Sequence, residues 1–153
     1  MKIAVAADHA GFPLKAALIE IVQSLGHIAI DLGTDSIESV DYPDVASKAG
    51  RLVATGEADR AVVICGSGVG ACIVGNKIRG VYACVCHDVY SAAQGVEHDQ
   101  MNMLCLGARV IGFALAKKIV ESFLKASPSV APRHLRRVGK IRAIEESEMK
   151  GST

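Results

Sequence analysis

The feature of this chain that most constrains its fold is a regular alternation of short apolar runs with helix-length amphipathic segments. The periodicity predicts strands over residues 2–7, 27–31, 61–65, 81–86 and 103–106, and helices over 12–25, 44–55, 69–77, 89–96 and 113–125. Strands and helices that alternate at these lengths form a parallel sheet with right-handed crossovers, covered on both faces. We therefore expect an α/β fold: a doubly wound three-layer sandwich with a five-stranded, Rossmann-like sheet, in a single domain over residues 1–153.

Composition excludes several classes of function. Half of the 153 residues are hydrophobic and 22% are charged, which is typical of a globular protein. A net charge of +1, no Trp and only 4% aromatic residues give no support for nucleic-acid or membrane partners. The chain begins without a secretory signal, and its most apolar stretch, 62–75, is too short and too rich in glycine to span a bilayer. We expect a cytoplasmic protein.

The five cysteines are an odd set without a CxxC pair, which favours reduced thiols. Cys84, Cys86 and His87 could suggest a metal site, because residues i and i+2 of a strand share a face, but no second ligand pair accompanies them. Core cysteines are the better interpretation of Cys84 and Cys86. We therefore predict no metal and no cofactor.

Reactive chemistry is concentrated where the third predicted strand ends. Cys65 is followed by the glycine-rich turn 66–70, which opens the next predicted helix. Amides of such a turn can bind an anion, and their positive field stabilises a thiolate. A buried strand-end cysteine before an ordinary βα turn is the alternative. Because ligands bind beyond the carboxyl ends of parallel strands, Asp8-His9 and His87-Asp88 should converge on the same edge and favour a site.

The C-terminal segment is a second candidate for function. Apolar residues recur at three-residue intervals, at positions 135, 138, 141 and 144. This spacing predicts an extended, packed helix, whose basic N-terminal half and acidic C-terminal half oppose the preference of the helix macrodipole. Arg133 and Arg137 lie four residues apart and could bind a phosphate together. A solvated basic face is the better interpretation of Arg136, Lys140 and Arg142.

In this order, these motifs resemble the type B ribose-5-phosphate isomerase family, which also includes the galactose-6-phosphate isomerase subunits. The resemblance covers nearly the whole chain. The matching segments are 7–9, 33–34, 41–44, 65–70 with 76–77, 90–92, 97–98, 102, 107–110, and Arg133-His134 with Arg137.

The resemblance implies a metal-free aldose–ketose isomerase of phosphorylated sugars that acts through an enediolate. By position, Cys65 is the base that moves a proton between C1 and C2, His98 is the acid that opens the furanose ring, and Ser67 assists near it. The amides that would hold the oxyanion belong to the loop Gly66, Ser67, Gly68, Val69 and Gly70. The residues that would bind sugar hydroxyls and phosphate, or line the pocket, are Asp8, His9, Tyr42, Arg109, Arg133 and Arg137.

Two details bear on the substrate and the assembly. Asp99 stands where the family usually has Asn, and an ionised carboxylate beside an enediolate would repel it. His98 follows the fourth predicted helix and so lies at the amino edge of the sheet, whereas Cys65 lies at the carboxyl edge. We therefore expect a homodimer, or a dimer of dimers, in which one subunit's His98 covers the partner's Cys65 loop.

Several functions remain open at this point. The expected reaction converts ribose 5-phosphate to ribulose 5-phosphate; the alternatives are a six-carbon substrate, allose or galactose 6-phosphate, or sugar-phosphate binding without catalysis. A dinucleotide site is a rival, since 66–71 fits G-x-G-x-x-A and Asp88 follows at the spacing of a ribose-binding acid. A cysteine phosphatase is disfavoured because Ala71 occupies the position where its loop needs arginine.

Overall fold

The computed structural model describes residues 1–149, so the last four residues of the predicted domain lie outside it. It contains a parallel sheet with helices on both faces. The strands are β1 (Lys2–Ala7), β2 (Ile28–Gly33), β3 (Arg60–Cys65), β4 (Ala83–Val85) and β5 (Met103–Gly107). The helices are α1 (Phe12–Ser24), α2 (Tyr42–Ala54), α3 (Val69–Gly75), α4 (Val89–Asp99), α5 (Phe113–Lys125) and α6 (Pro132–Glu148). The predicted five-stranded α/β fold is confirmed.

The order of the strands across the sheet determines where a ligand can bind. The five strands pair in parallel in the order β2-β1-β3-β5-β4. The chain first moves from β1 to β2 on one side and then crosses to β3 on the other, so the order reverses between β1 and β3. A crevice forms beyond the carboxyl ends of strands at such a switch point. Asp8 and Cys65 both lie at this crevice.

The two faces of the sheet are packed differently. On one face, α1, α4 and α5 pack against the sheet with large side chains, including Leu18, Ile119 and Phe123, which are fully buried. On the other face, α2 packs against the sheet with small side chains, such as Ala46 and Ala49, and α3 lies beside it. Small residues allow the helices to approach the sheet closely, which brings the beginnings of α2 and α3 together above the crevice.

The edge strand β4 differs from its prediction. It is only three residues long instead of extending over 81–86. The Asn76 side chain forms both hydrogen bonds that a neighbouring strand would make with Ala83. Its Nδ2 donates to the Ala83 carbonyl (2.8 Å), and its Oδ1 accepts from the Ala83 amide (3.0 Å). Cys86 is buried as predicted, but Cys84 is exposed, so its prediction as a core cysteine is wrong. The reason is the position of β4 at the edge of the sheet.

Helix α6 forms as predicted but uses another face for packing. His134 and Val138 are its buried residues, whereas Leu135, Ile141 and Ile144 are 47%, 40% and 63% exposed. In an α-helix, each step of three residues falls about 60° short of a full turn. Four positions at this spacing are therefore spread over half the circumference of the helix. The predicted packed stripe is therefore wrong, with Val138 as the exception.

Candidate active site

A cleft of about 330 Å³ opens at the switch point between β1 and β3. Its size is at the lower end of the range of small-molecule sites, about 300–1,000 Å³. The residues that line it are Asp8, Tyr42, Cys65, Gly66, Ser67, Gly70, Arg109 and Val110. Seven of these are predicted from the sequence. Val110 is not, since a single apolar residue after an arginine gives no signal of its own.

Cys65 is the last residue of β3 and is only 5% exposed. Its sulfur accepts a hydrogen bond from the Gly68 amide at 3.1 Å. Gly68 caps α3 with φ of 81°, a left-handed conformation that residues with side chains rarely adopt, so glycine is favoured where the loop turns into the helix. The glycine-rich loop is therefore folded around the sulfur of Cys65.

The loop uses two of its amides internally. The Gly68 amide donates to Cys65, and the Val69 amide donates to the Ser67 hydroxyl at 3.3 Å. Within residues 1–149, no hydrogen bond uses the amides of Gly66 and Ser67. Of the amides expected to hold an oxyanion, those of Gly68 and Val69 instead fix the shape of the loop.

A glycine also lets a cleft side chain lie directly on the loop. A Cβ on Gly70 would overlap the Tyr42 ring, 2.5 Å from Cε2, whereas a Cβ on Gly66 would be in ordinary contact with Arg109, 3.5 Å from Nη1. The Arg109 amide donates to the Gly66 carbonyl at 3.0 Å, which ties the segment after β5 to the loop. A guanidinium and a phenol are thus brought to the mouth of the cleft, on the same side as the cysteine.

Asp8 and His9 follow β1, and their contacts define which of their atoms are free. Asp8 Oδ1 accepts from the amides of Ala10 (2.9 Å) and Gly11 (3.0 Å), so its carboxylate stabilises the turn into α1. His9 Nδ1 accepts from the Val40 amide at 3.2 Å, and this assigns the proton of the neutral ring to Nε2. His9 does not line the cleft itself but is adjacent to Asp8, which does.

His87 and Asp88 have structural roles at the same edge. The Gly107 amide donates to His87 Nε2 at 2.9 Å, which fixes the end of β5. Asp88 caps α4 by accepting from the Ser91 amide at 2.6 Å, and these hydrogen bonds to Ser91 lower the pKa of its carboxyl group. The carboxylate of Asp88 is thus used to cap the helix. Its position after the fourth strand therefore no longer supports a dinucleotide site.

The other predicted site residues lie away from the cleft. His98 is in the last turn of α4, which continues to Asp99, so the prediction that His98 follows the helix is wrong. Its ring stacks on His134 of α6, with centroids 4.0 Å apart and an interplanar angle of 18°. Arg133 and Arg137 lie in the first turns of α6, and both are exposed. Neither arginine, nor His98 or Asp99, lines the cleft of its own chain.

In the part of the chain described by the structure, no helix is both long and apolar enough to cross a membrane. Within these same 149 residues, no three His, Cys, Asp or Glu side chains are grouped so that they could hold a metal ion.

Comparison with known proteins identifies the family. The Ribose/Galactose Isomerase family matches residues 3–141. Ribose-5-phosphate isomerase B of Escherichia coli is 44% identical over 145 residues, covering 95% of this chain and 97% of the relative. D-erythrulose-4-phosphate isomerase 2 of Mycolicibacterium smegmatis is 40% identical over 127 residues, covering 81% and 84%.

A solved structure of ribose-5-phosphate isomerase B from Clostridium thermocellum superimposes with a TM-score of 0.92 at 45% identity, covering 96% of this chain and 99% of that one. Fold and sequence therefore agree over nearly the whole length of both proteins. The chain belongs to the Ribose/Galactose Isomerase family and is a sugar-phosphate isomerase, an intramolecular oxidoreductase of the aldose–ketose class.

Proposed function

We propose that this isomerase interconverts ribose 5-phosphate and ribulose 5-phosphate, with Cys65 as the group that moves the proton between C1 and C2. The observation that carries the proposal is the environment of the Cys65 sulfur, which lines the cleft and receives the Gly68 amide hydrogen at 3.1 Å. Hydrogen bonds from an amide are stronger to a charged acceptor than to a neutral one, so this loop suits a thiolate base.

The reaction balances within the substrate. The Cys65 thiolate removes the hydrogen at C2 as a proton, and the electron pair of the broken C2–H bond forms the enediolate. The resulting thiol then returns a proton to C1. A proton moves between O2 and O1, so C1 is reduced and C2 is oxidised without an external oxidant. The amides of Gly66 and Ser67, which no internal hydrogen bond uses, would donate to the enediolate oxygens.

The lining of the cleft matches the polar groups of the substrate. Asp8 uses Oδ1 in its turn, so Oδ2 can accept from a sugar hydroxyl. Tyr42 would flank the carbon chain, and Arg109 and the Nε2–H of His9 would donate to hydroxyl or phosphate oxygens. The Ser67 hydroxyl accepts from the Val69 amide, which leaves its hydrogen for the ring oxygen of the substrate.

The acid that opens the ring comes, in this proposal, from a partner subunit. The amide of Ala61, at the start of β3, donates to the Asn102 carbonyl at 2.9 Å, so the loop that follows α4 reaches the amino edge of the sheet. Cys65 lies four residues further along β3, roughly 13 Å away at about 3.3 Å per residue. A two-fold homodimer, or a dimer of such dimers, would bring the partner subunit's His98 over Cys65.

The same dimer would complete the phosphate site. Arg133 and Arg137 are exposed on α6, before and after the His134 that stacks on His98, and Asp99 is exposed on α4 directly after His98. In the assembled site the partner's two arginines would bind the phosphate, and its Asp99 would lie near the sugar. Because Asp99 stands where the family usually carries an amide, a six-carbon sugar phosphate is the alternative substrate.

The first experiment follows turnover by NMR in deuterated water, with wild type, Cys65→Ala and Cys72→Ala. Cys72 is the matched control, since it is a cysteine of α3 that does not line the cleft. The substrates are ribose 5-phosphate, allose 6-phosphate, galactose 6-phosphate and D-erythrulose 4-phosphate. We expect deuterium at the transferred carbon of the five-carbon product, lost in Cys65→Ala and retained in Cys72→Ala. Full activity of Cys65→Ala would refute the proposed base, and preference for another sugar would reassign the substrate.

A second experiment tests the shared site. Homodimers of Cys65→Ala and of His98→Ala are mixed after dissociation, so that some heterodimers carry one intact site. Recovery of activity supports the shared arrangement, because both mutations of a heterodimer then fall in the same site and leave the other site intact. Verified heterodimers without any recovery would exclude it.

A further inference from the structure

His98 does not stand alone on α4. Its imidazole lies against that of His134, which comes from the first turn of α6, with ring centroids 4.0 Å apart and planes inclined by 18°. The segment between α5 and α6 is tied to α4 at the same place, because the Ser129 amide donates to the Glu97 carbonyl at 2.8 Å. Two helices from distant parts of the chain are thus held so that the two imidazoles are parallel.

His134 is an unusual residue to use for packing. It is only 4% exposed, and its Nδ1 is a buried polar atom without a hydrogen-bond partner in the described part of the chain. An unsatisfied buried nitrogen destabilises a fold, and a phenylalanine would fill a similar space without that cost. Folding stability alone therefore does not explain a histidine here, whereas a role in holding His98 does.

Burial and the charges around the pair disfavour a proton on His134. Burial lowers the pKa of His134 from its ordinary value, and so do the positive charges of His98, Arg133 and Arg137; only Asp99 acts in the opposite direction. His134 also lies near the positive end of the α6 dipole, which disfavours a further cation. Apart from that of Asp99, these effects all favour the neutral form of the His134 ring.

We propose that His134 is a positioning residue for ring opening: its ring, stacked on His98, fixes the plane and direction of the His98 imidazole relative to Arg133 and Arg137. This inference rests on the proposed role of His98 as the acid that protonates the ring oxygen. His134 itself does not touch the substrate. It links the acid on α4 to the arginines on α6, so that both parts of the donated half-site move as one body.

The test separates ring opening from proton transfer. Ribose 5-phosphate is mostly a closed furanose, whereas ribulose 5-phosphate stays open because its O5 carries the phosphate. Turnover of the aldose therefore requires ring opening, but the exchange of a C1 hydrogen of ribulose 5-phosphate with deuterated water requires only the proton transfer by Cys65. Both are measured by NMR for the wild type, His98→Asn, His134→Leu and His134→Phe, with Val138→Ala as a matched control. Val138 is the other buried residue of α6, one turn after His134.

We expect His134→Leu to lower kcat for ribose 5-phosphate by about tenfold or more, with KM and C1 exchange within about twofold, because a displaced acid slows only the ring opening. His134→Phe, which retains a flat ring, should keep most of kcat. Val138→Ala should lower the unfolding temperature without changing the ratio of turnover to exchange. The proposal would be overturned if His134→Leu kept the wild-type ratio of turnover to C1 exchange. It would also be overturned if Val138→Ala lost as much kcat for ribose 5-phosphate as His134→Leu.

A readout without substrate makes the inference independent of the activity. The chain has five histidines, whose ring signals can be assigned by substitution. We expect the His98 ring signals to shift and its titration midpoint to change in His134→Leu, and to change less in His134→Phe. Unchanged His98 signals in His134→Leu would refute the stack. If no sugar phosphate is turned over or exchanged by the wild type, the proposed function fails, whereas loss of turnover in His98→Asn but not in His134→Leu refutes only the positioning role.

Discussion

Gly70 lies against the ring of Tyr42, and its replacement by alanine would put a methyl group into that ring. The added Cβ would be 2.5 Å from Cε2, 2.6 Å from Cζ and 3.0 Å from the phenolic oxygen. Carbon atoms in ordinary contact are about 3.5–4.0 Å apart, so the ring must retreat by roughly 1 Å. Tyr42 is the first residue of α2 and is 42% exposed, so its ring can swing toward solvent without compressing the core.

The expected effects on stability and activity of Gly70→Ala therefore differ. Gly70 is in α3, where alanine favours the helix over glycine by up to about 1 kcal/mol, so the free energy of unfolding should change by less than about 1 kcal/mol in either direction. The ring of Tyr42, however, forms one wall of the cleft that holds Cys65. Because displacements of about 1 Å at a reacting group can cost about a hundredfold, we expect kcat/KM to fall by about ten- to a hundredfold.

A double-mutant cycle with Tyr42→Ala tests this reasoning. Without the ring there is nothing for the new methyl group to displace, so Gly70→Ala should stabilise the Tyr42→Ala protein by close to 1 kcal/mol and leave its residual kcat/KM unchanged. Urea denaturation gives the free energies, and the NMR assay gives the rates. Additive effects of the two substitutions on activity would show that the loss in Gly70→Ala does not pass through Tyr42, and would refute the argument.

Three further substitutions have expected outcomes. Arg60 is buried and its guanidinium donates to the carbonyls of Phe123 and Ala126, so Arg60→Leu should lower the free energy of unfolding by about 3 kcal/mol in urea denaturation; a loss under about 1 kcal/mol would contradict this role. Asp99→Asn should raise kcat/KM by about threefold if the carboxylate faces the partner's enediolate, since exposed charges are screened; a decrease would mean that the carboxylate binds the substrate. Because the pKa of His134 is lowered in the folded state, the unfolded chain binds more protons below its ordinary value of 6.5, and the free energy of unfolding falls as pH falls below it. His134→Phe should remove that part of the pH dependence, and an unchanged pH profile of stability would contradict the lowered pKa.

The regular elements could be predicted because they depend on local periodicity. The strand β1 and the helix α5 are found at the predicted bounds, and the alternation alone implied a parallel sheet. The short β4 could not be predicted, because the apolar run over 81–86 continues beyond its paired residues. At the start of β4, the side chain of Asn76 pairs with both polar groups of the Ala83 backbone, from a position seven residues earlier in the chain. Such a contact has no periodicity in sequence.

The cleft was predictable to the extent that its residues follow strands. Asp8 comes after β1 and Cys65 ends β3, and the carboxyl ends of neighbouring parallel strands meet at one edge. The internal use of the amides of Gly68 and Val69 could not be seen, because a sequence does not tell which amides of a turn point at its own side chains. The burial of His134 could not be predicted for a similar reason: within a basic segment, nothing in the sequence distinguishes a buried histidine from a solvated one.

The crossover architecture itself accounts for the separation of the proposed base, Cys65, from the proposed acid, His98. Strands of a parallel sheet deliver residues to its carboxyl edge, and the helices between them run back to the amino edge, so the end of α4 must lie opposite the end of β3. One chain can supply a thiol with its anion-binding loop at one edge, and a histidine with two arginines at the other. In the proposed homodimer, a second copy would close the site from both halves, and two-fold symmetry would yield two such sites from one interface. Any contact that aligns α4 with α6, such as the His98–His134 stack, would in that dimer act on the catalysis of the partner and not on that of its own chain.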